Sequence, residues 1–431
     1  MAAAVASLEA RCSPSSRPGP ADTLRLLTFS TLYPNNVRPN HGIFVENRLR
    51  HLVGDGKACR STVIAPVSWC PAMPRRHGDR APHAATHAFE LQHGIPVYHP
   101  RYLAVRGLNM YSAPYLLYHS SRPAIRDLLA RGERFDAIDA HYVYPDGVAA
   151  IWLGRHFNLP VVITARGSDV SLLPDYALPR HLIRRAIRTS AALIAVSAAV
   201  KMALVQLGAP DEKVTILRNG VDTRLFRPMD RAIARETLAL TRRTLVSVGS
   251  LIERKGHDRI IQAMTQLDGC ELLIAGVGPE HHRLSRLIDK LNLTDRIRLL
   301  GSWPHGDLPR LYNAADALVL ASSREGWPNV LMEAIACGTP VVASNIWGNP
   351  EIVSCKQAGV LIEQNTSDGI AAAVRRLFGN LPDRSLTRAY AETLSWDDTT
   401  SGQLRLFAGL RDHRRDDVQA RVRRLHAPML T

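Results

Sequence analysis

Glu325 and Glu333 are separated by seven residues and bracket the stretch Gly326-Trp327-Pro328-Asn329-Val330-Leu331-Met332. The apolar run Ala317 to Leu320 ahead of them reads as a strand, and Val330 to Cys337 reads as a helix. Glu325 therefore falls in a turn after a strand, with Glu333 inside the next helix. Turns at the carboxyl ends of parallel strands are where open α/β sheets bind ligands. An ionised carboxylate there accepts hydrogen bonds and donates none, which suits sugar hydroxyls. The N–H groups of Asn329, Val330 and Leu331 open the helix without intrahelical partners, and such donors suit a phosphate. One turn can thus hold both halves of a nucleotide-sugar. The competing reading is ordinary: glutamates near a helix start favour the positive end of its dipole.

A second constellation is Gly249-Ser250-Leu251-Ile252-Glu253-Arg254-Lys255-Gly256, which joins a strand to a helix with two consecutive cations. A nucleotide-sugar leaves as a diphosphate whose charge grows as the glycosidic bond breaks. A fixed Arg and Lys stabilise that charge more in the transition state than in the ground state. Arg grips two phosphate oxygens at once, and Lys acts as a point charge. A solvated basic turn is the plain alternative. Gly276-Val277-Gly278 is another strand-to-helix turn, weak evidence by itself because paired glycines often serve only tight turns. In the first half, Asp139-Ala-His141 ends a strand, which places His141 at a cleft rim with functional and structural roles both open. Thr164-Ala-Arg166-Gly167-Ser168-Asp169 follows the next strand.

Gly326, the Pro328-Asn329 pair and the run Glu333-Ala-Ile-Ala-Cys-Gly-Thr-Pro-Val-Val342 resemble the hallmark segment of the family 4 retaining glycosyltransferases. Matches extend from Leu26 to about Leu410 and are densest between Thr244 and Glu351. The resemblance implies an α/β protein of GT-B fold, with two doubly wound Rossmann-like domains facing across a cleft. It implies that Arg254 and Lys255 bind the donor diphosphate, with Gly42 and the backbone of Val330 and Leu331 beside them. Glu325, Gly326, Trp327 and Asn329 are then expected at the donor sugar, and Glu333 at the ribose. Gly276, Gly278, Ser302 and Trp303 are expected along the base. Many relatives have two glycines where this chain has His41-Gly42, and a histidine where it has Arg166. An arginine with a pKa above ~12 cannot accept a proton. Arg166 is therefore expected to touch the donor sugar, a phosphate or an acidic acceptor, with Asp169 orienting a hydroxyl.

These residues need alternating strands and helices to hold them. Strands are predicted at Leu24 to Ser30, Ser61 to Ala65, Asp136 to Ala140, Val161 to Thr164 and Ala192 to Val196, with helices at Ile43 to Val53, Ala113 to Leu129, Asp146 to Phe157 and Pro179 to Arg188. A second set opens at Thr244 to Gly249 and continues with strands through Gly359 to Ile362. Short apolar strands between amphipathic helices imply parallel sheets covered on both faces. Ser68 to Gln92, rich in Pro, His and Arg, reads as a surface loop. The implied division is a disordered extension over 1–23, an acceptor domain over 24–224, a donor domain over 225–395, and a crossover helix and tail over 396–431.

A chain of 431 residues exceeds what one core supports, which fits two domains. Hydrophobic content of 46% and charged content of 22% are those of a globular protein, and no apolar run approaches the ~20 residues of a membrane span. Six scattered cysteines without metal-ligand spacing read as reduced thiols of a cytoplasmic protein. Residues 1–224 carry 27 Lys+Arg against 16 Asp+Glu, a balance of +11, leaving +4 for the rest. Arg180-His-Leu-Ile-Arg-Arg-Ala-Ile-Arg188 alternates cations with apolar residues at helical spacing; such a helix can rest on anionic lipid at the inner face of the membrane, or simply be solvated. No motif supports nucleic-acid binding. No cofactor is expected beyond the nucleotide-sugar co-substrate, and the lack of an Asp-x-Asp pair in a plausible loop points away from a metal. The expected partners are that donor and a glycan or lipid-linked acceptor of cell-surface polysaccharide synthesis. The rival functions are a sugar-nucleotide epimerase or a non-catalytic glycan-binding protein of the same fold. A dinucleotide oxidoreductase fits less well, because no Gly-x-Gly-x-x-Gly opens either half.

Overall fold

A computed structural model describes residues 23–69, 85–104 and 107–425. The chain forms two compact units. The first runs to Ile194 and includes Leu204–Thr215 and the stretch from Thr400; the second comprises Ala195–Ala203 and Ile216–Thr399. The chain thus enters the second unit briefly at Ala195 and again at Ile216, both ahead of the expected break after Arg224. Most of the predicted N-terminal extension lies outside the described residues, but Thr23 is buried and its hydroxyl donates to the Lys57 carbonyl at 2.8 Å.

In the first unit the sheet contains β1 (Leu24–Phe29), β2 (Cys59–Ile64), β4 (Phe89–Gln92), β5 (Ile95–Tyr98), β7 (Ala137–His141), β8 (Val161–Ala165), β9 (Ala192–Ala195) and β10 (Val214–Ile216), in the order β10-β9-β8-β7-β1-β2-β5-β4. β3 (Val67–Trp69) and β6 (Arg101–Leu103) pair separately. β7 and β8 are buried at every position, as expected where helices cover both faces of a parallel sheet. Two predictions need correction. Parts of Ser68 to Gln92 lie in β3 and β4, short strands whose flanking Pro and His hid them, while residues 70–84 lie outside the described set. The tail is one helix, Asp397–Leu425, instead of a helix ending near Leu410.

The second unit holds β11 (Arg243–Val248), β12 (Cys270–Ala275), β13 (Ile297–Gly301), β14 (Ala317–Leu320), β15 (Val341–Ser344) and β16 (Gly359–Ile362). Its order is β13-β12-β11-β14-β15-β16, parallel at every junction. Leu245, Leu272, Ile274 and Val319 pack from this sheet against Ile260, Ile261 and Val374 of the covering helices, all essentially inaccessible. Among the described residues, Cys59, Cys270, Cys337 and Cys355 are free thiols.

Candidate active site

In the second unit, β11 pairs with its sequence neighbour β12 on one side and with β14 on the other. Strand order reverses there, and such a reversal opens a crevice at the carboxyl ends of the strands. The turn after β11 carries Arg254 and Lys255; the turn after β14 carries Glu325. Their meeting is built into the backbone. Gly256 has φ +68, and a Cβ on it would stand 2.3 Å from the Ala321 carbonyl oxygen. Only glycine allows that approach. The Ser323 N–H then donates to the Arg254 carbonyl at 2.9 Å.

The side chains close the same contact. Lys255 Nζ lies 2.6 Å from Glu325 Oε1, which also accepts from Ser322 Oγ at 2.8 Å. Arg254 Nη1 donates to the Arg324 carbonyl at 2.7 Å and stands 3.9 Å from Glu325 Oε2. Burial pushes the Glu325 carboxyl up, but the charges of Lys255 and Arg254 and the hydrogen bonds outweigh it and hold the group below the usual carboxylate range. Glu325 is therefore ionised at neutral pH. Two cations against one anion leave a positive excess, and Oε2 retains capacity to accept from a hydroxyl.

The helix after this turn is Asn329–Ala336. The Leu331 N–H donates to the Pro328 carbonyl at 3.1 Å, so it is not the open phosphate donor expected from sequence. Trp327 also departs from expectation. It is buried, and its indole N–H donates to the Asn219 carbonyl at 2.9 Å while Arg218 stacks 5.8 Å from the ring centroid. Trp327 pins the turn from inside instead of facing a sugar. Asn329 Oδ1 accepts from Asn219 Nδ2 at 3.2 Å, and the Gly326 carbonyl lies where a Cβ on Gly348 would be, 2.2 Å away.

Glu333 is nearly buried, accepting from Tyr312 Oη at 2.9 Å on one oxygen and lying 3.2 Å from His305 Nε2 on the other. Burial, then the Glu333 charge, hold the Tyr312 phenol well above its usual range, so it remains a donor. Tyr312 and His305 escaped the sequence reading; His305, two residues past the Trp303 turn, was the available signal. Gly276 has φ +157, and a Cβ there would lie 1.8 Å from the Gly249 carbonyl oxygen; one on Gly278 would lie 2.3 Å from that of Leu251. Both glycines let the turn after β12 pack onto the turn that carries Arg254. Ser302 is exposed beyond β13, and Trp303 beside it is partly exposed.

In the first unit the corresponding reversal lies between β1 and β7. The Thr31 N–H and hydroxyl both donate to Asp146, tying the turn after β1 to the turn after β7. Gly42 has φ +70, and a Cβ on it would meet the Leu32 carbonyl carbon at 2.2 Å. That glycine is needed to fold the first turn back on itself before the helix Ile43–Val53.

His141 is 1% exposed and so is not at a rim. Arg166 Nη2 lies 2.8 Å from His141 Nδ1. A guanidinium only donates, so Nδ1 accepts and the proton sits on Nε2, 3.2 Å from Asp139 Oδ2. Burial keeps His141 below its ordinary pKa, and Arg166 adds to this against Asp139. Burial lowers Arg166 to about 10, leaving it a cation, and its guanidinium lies 5.2 Å from the Phe44 ring centroid. Asp169 is fully buried and accepts backbone N–H groups from Gly167 at 2.7 Å, Val143 at 2.8 Å and Arg166 at 3.1 Å. It fixes the loop and is not placed to orient an acceptor hydroxyl. Arg48, Asp139 and Asp146 join this buried set unpredicted. Arg48 sits on the stripe Val45, Arg48, Leu49, Leu52, whose helical spacing marked it as inward-facing.

Asp146 yields a pH prediction. Burial outweighs its bonds from Thr31 and raises its pKa to about 7. A raised carboxyl pKa means the folded state holds the proton more tightly than the unfolded chain, whose aspartates titrate near ~3.9. The resulting stability is complete below that value and is lost as pH rises through about 7. Melting curves from pH 4 to 8 should therefore show wild type losing stability relative to Asp146→Asn as pH increases. Parallel curves would contradict the buried-acid assignment.

Comparison with known proteins agrees with this architecture. A model described as Glycosyltransferase Family 4 matches residues 44–225, and one described as Glycosyl transferases group 1 matches residues 229–393. TuaC of Bacillus subtilis (strain 168), provisionally assigned as a teichuronic acid biosynthesis glycosyltransferase, is 28% identical over 366 residues, 82% of this chain and 89% of TuaC. N-acetyl-alpha-D-glucosaminyl L-malate synthase of Bacillus anthracis is 27% identical over 298 residues, 66% of this chain and 76% of that protein. Among solved structures, sucrose-phosphate synthase of Thermosynechococcus elongatus superimposes with TM-score 0.73 at 19% identity, covering 90% of this chain and 99% of that one. Anabaena HepE in complex with UDP gives TM-score 0.68 at 19% identity, covering 90% and 100%. The chain belongs to the family 4 glycosyltransferases and has their GT-B fold.

Proposed function

We propose that the chain moves a sugar from a nucleoside diphosphate sugar to an acceptor hydroxyl with retention of anomeric configuration, in the synthesis of a cell-surface polysaccharide or lipid-linked glycan. The observation that carries this reading is the Arg254–Lys255–Glu325 cluster at the strand-order reversal of the second unit. Glu325 Oε2 accepts from hydroxyls of the donor sugar. Glu333 takes the ribose hydroxyls on the oxygen it shares with His305. Arg254 and Lys255 neutralise the diphosphate as the anomeric C–O bond breaks, the electrostatic role that a metal fills elsewhere. The acceptor oxygen bonds to the same face of the anomeric carbon, and its proton passes to the departing phosphate oxygen. The crystallised UDP complex of HepE and the teichuronic acid biosynthesis named for TuaC support the choice of substrates.

The helix Ala177–Thr189 buries Ile183, Ala186 and Ile187 and exposes Arg180, Arg184, Arg185 and Arg188. Most of its apolar face is covered and, of its large apolar side chains, only Leu178 stands exposed, so contact with an anionic cytoplasmic membrane surface is mainly electrostatic. Vesicles containing phosphatidylglycerol should then bind the protein at low salt and release it at high salt. Indifference at low salt would remove the membrane from the account.

The transfer reading is tested by thermal stabilisation across a panel of nucleotide-sugars, since a ligand of the native state alone raises the melting point. One or a few members should stabilise the protein and remain intact until an acceptor is added. Conversion of the donor without acceptor would indicate an epimerase instead.

A further inference from the structure

The first unit contains a recess of about 480 Å³ that the transfer chemistry does not use. It lies at the start of β8 and just ahead of β9, the sheet edge opposite His141 and Arg166. Its lining includes the buried Ile151, Leu159 and Val161 and the partly exposed Leu410 of the C-terminal helix. Arg155, His413 and Arg414 stand among the lining residues, and no carboxylate does. Binding sites of this size are mostly apolar, with a few charged groups that fix the orientation of the ligand. An uncharged apolar ligand gives no reason for cations in the lining, and a sugar gives none for its buried apolar residues. An acyl chain with an anionic head accounts for both.

Two neighbouring features indicate where such a ligand comes from. Thr189, the last residue of the basic helix, borders the recess, so the end of that helix, one residue after the exposed Arg188, reaches the site. Arg155 also borders a second recess, lined by Tyr115, Tyr118, Trp152 and His156. Aromatic side chains with polar tips beside cations are the composition that settles at a membrane–water interface.

We infer that this recess holds one acyl chain of an anionic phospholipid drawn from the bilayer, with its phosphate at Arg155 and Arg414. The inference extends the membrane contact proposed above, but its test needs neither a bilayer nor sugar transfer. The full chain is titrated calorimetrically at low salt with myristoyl lysophosphatidylglycerol below its micelle concentration. Myristoyl lysophosphatidylcholine and glycerol 3-phosphate serve as controls for charge and chain. Saturable one-site binding of the lysophosphatidylglycerol is expected, with both controls weaker. Each cation near an anionic lipid contributes roughly fivefold, so the double variant Arg155→Glu/Arg414→Glu, at one exposed and one partly exposed position, should lose about thirtyfold or more. Ala191→Trp, an exposed lining residue, should block the chain without altering charge. Melting points near wild type would show that the variants fold. Equal affinity for lysophosphatidylcholine or glycerol 3-phosphate, unchanged binding in either variant, or no saturable binding would each overturn the assignment. Lysolipid binding without vesicle binding would keep the recess and refute the basic helix, so the two failures are separable.

Discussion

Replacing Lys255 with methionine should lower kcat/KM for sugar transfer by about 10²–10³, roughly 3–4 kcal/mol of transition-state stabilisation. Lys255 lies at the strand-order reversal, where a leaving diphosphate would gain charge as the glycosidic bond breaks. Interactions that strengthen with developing charge act on kcat as well as on KM. A second consequence follows from the 2.6 Å contact with Glu325. That carboxylate is only 10% exposed, and without Lys255 it retains the more distant Arg254. Breaking one side of a buried ion pair costs about 3–5 kcal/mol, because the remaining charge is left in a poorly solvated site. Lys255→Met should therefore melt below wild type. Adding Glu325→Gln removes the stranded charge, so the double variant should regain stability without regaining activity. If activity and stability recover together, Lys255 acts only through the folding of the turn.

Asp169→Ala should give the largest loss of stability in the first unit, about 4 kcal/mol. Three backbone N–H groups, from Val143, Arg166 and Gly167, converge on this one buried carboxylate. Hydrogen bonds to a charged acceptor contribute about 1.5–3 kcal/mol each, and an unsatisfied buried donor costs a comparable amount. Burial raises the Asp169 carboxyl while these N–H bonds oppose it. Asp169→Asn keeps one acceptor oxygen and should fall between alanine and wild type. Denaturant unfolding measures all three proteins. A loss below about 1 kcal/mol in the alanine variant would mean that water or a rearranged loop satisfies those donors.

The difference between Lys255 and Asp169 shows what was legible in the sequence. Short apolar runs such as Val161 to Thr164 and Ala317 to Leu320, set between amphipathic helices, declare buried parallel strands. Turn residues follow by position, so Arg254, Lys255 and Glu325 could be placed at a sheet edge from sequence. Spacing along the chain does not say which way a turn residue points. His141 ends β7, and Asp169 and Trp327 follow β8 and β14, yet each faces inward to satisfy backbone or side-chain groups. Tyr312 and His305 reach Glu333 from separate elements, and only the folded sheet brings them together. Arg48 was readable in principle from its helical stripe, but a fully buried arginine is rare enough that the ordinary expectation hides it. The strands from Val67 to Leu103 were missed because three- and four-residue pairings carry too little periodicity to register.

The most direct test of the account is calorimetric titration of UDP, GDP and ADP into the wild-type protein and the Arg254→Ala/Lys255→Met variant. One of the three nucleotides should bind wild type, and that affinity should fall at least tenfold in the variant at matched salt, since two charge-assisted phosphate contacts are gone. Equal affinity in both proteins would place the nucleotide somewhere other than the β11–β14 reversal and would contradict the site proposed for it.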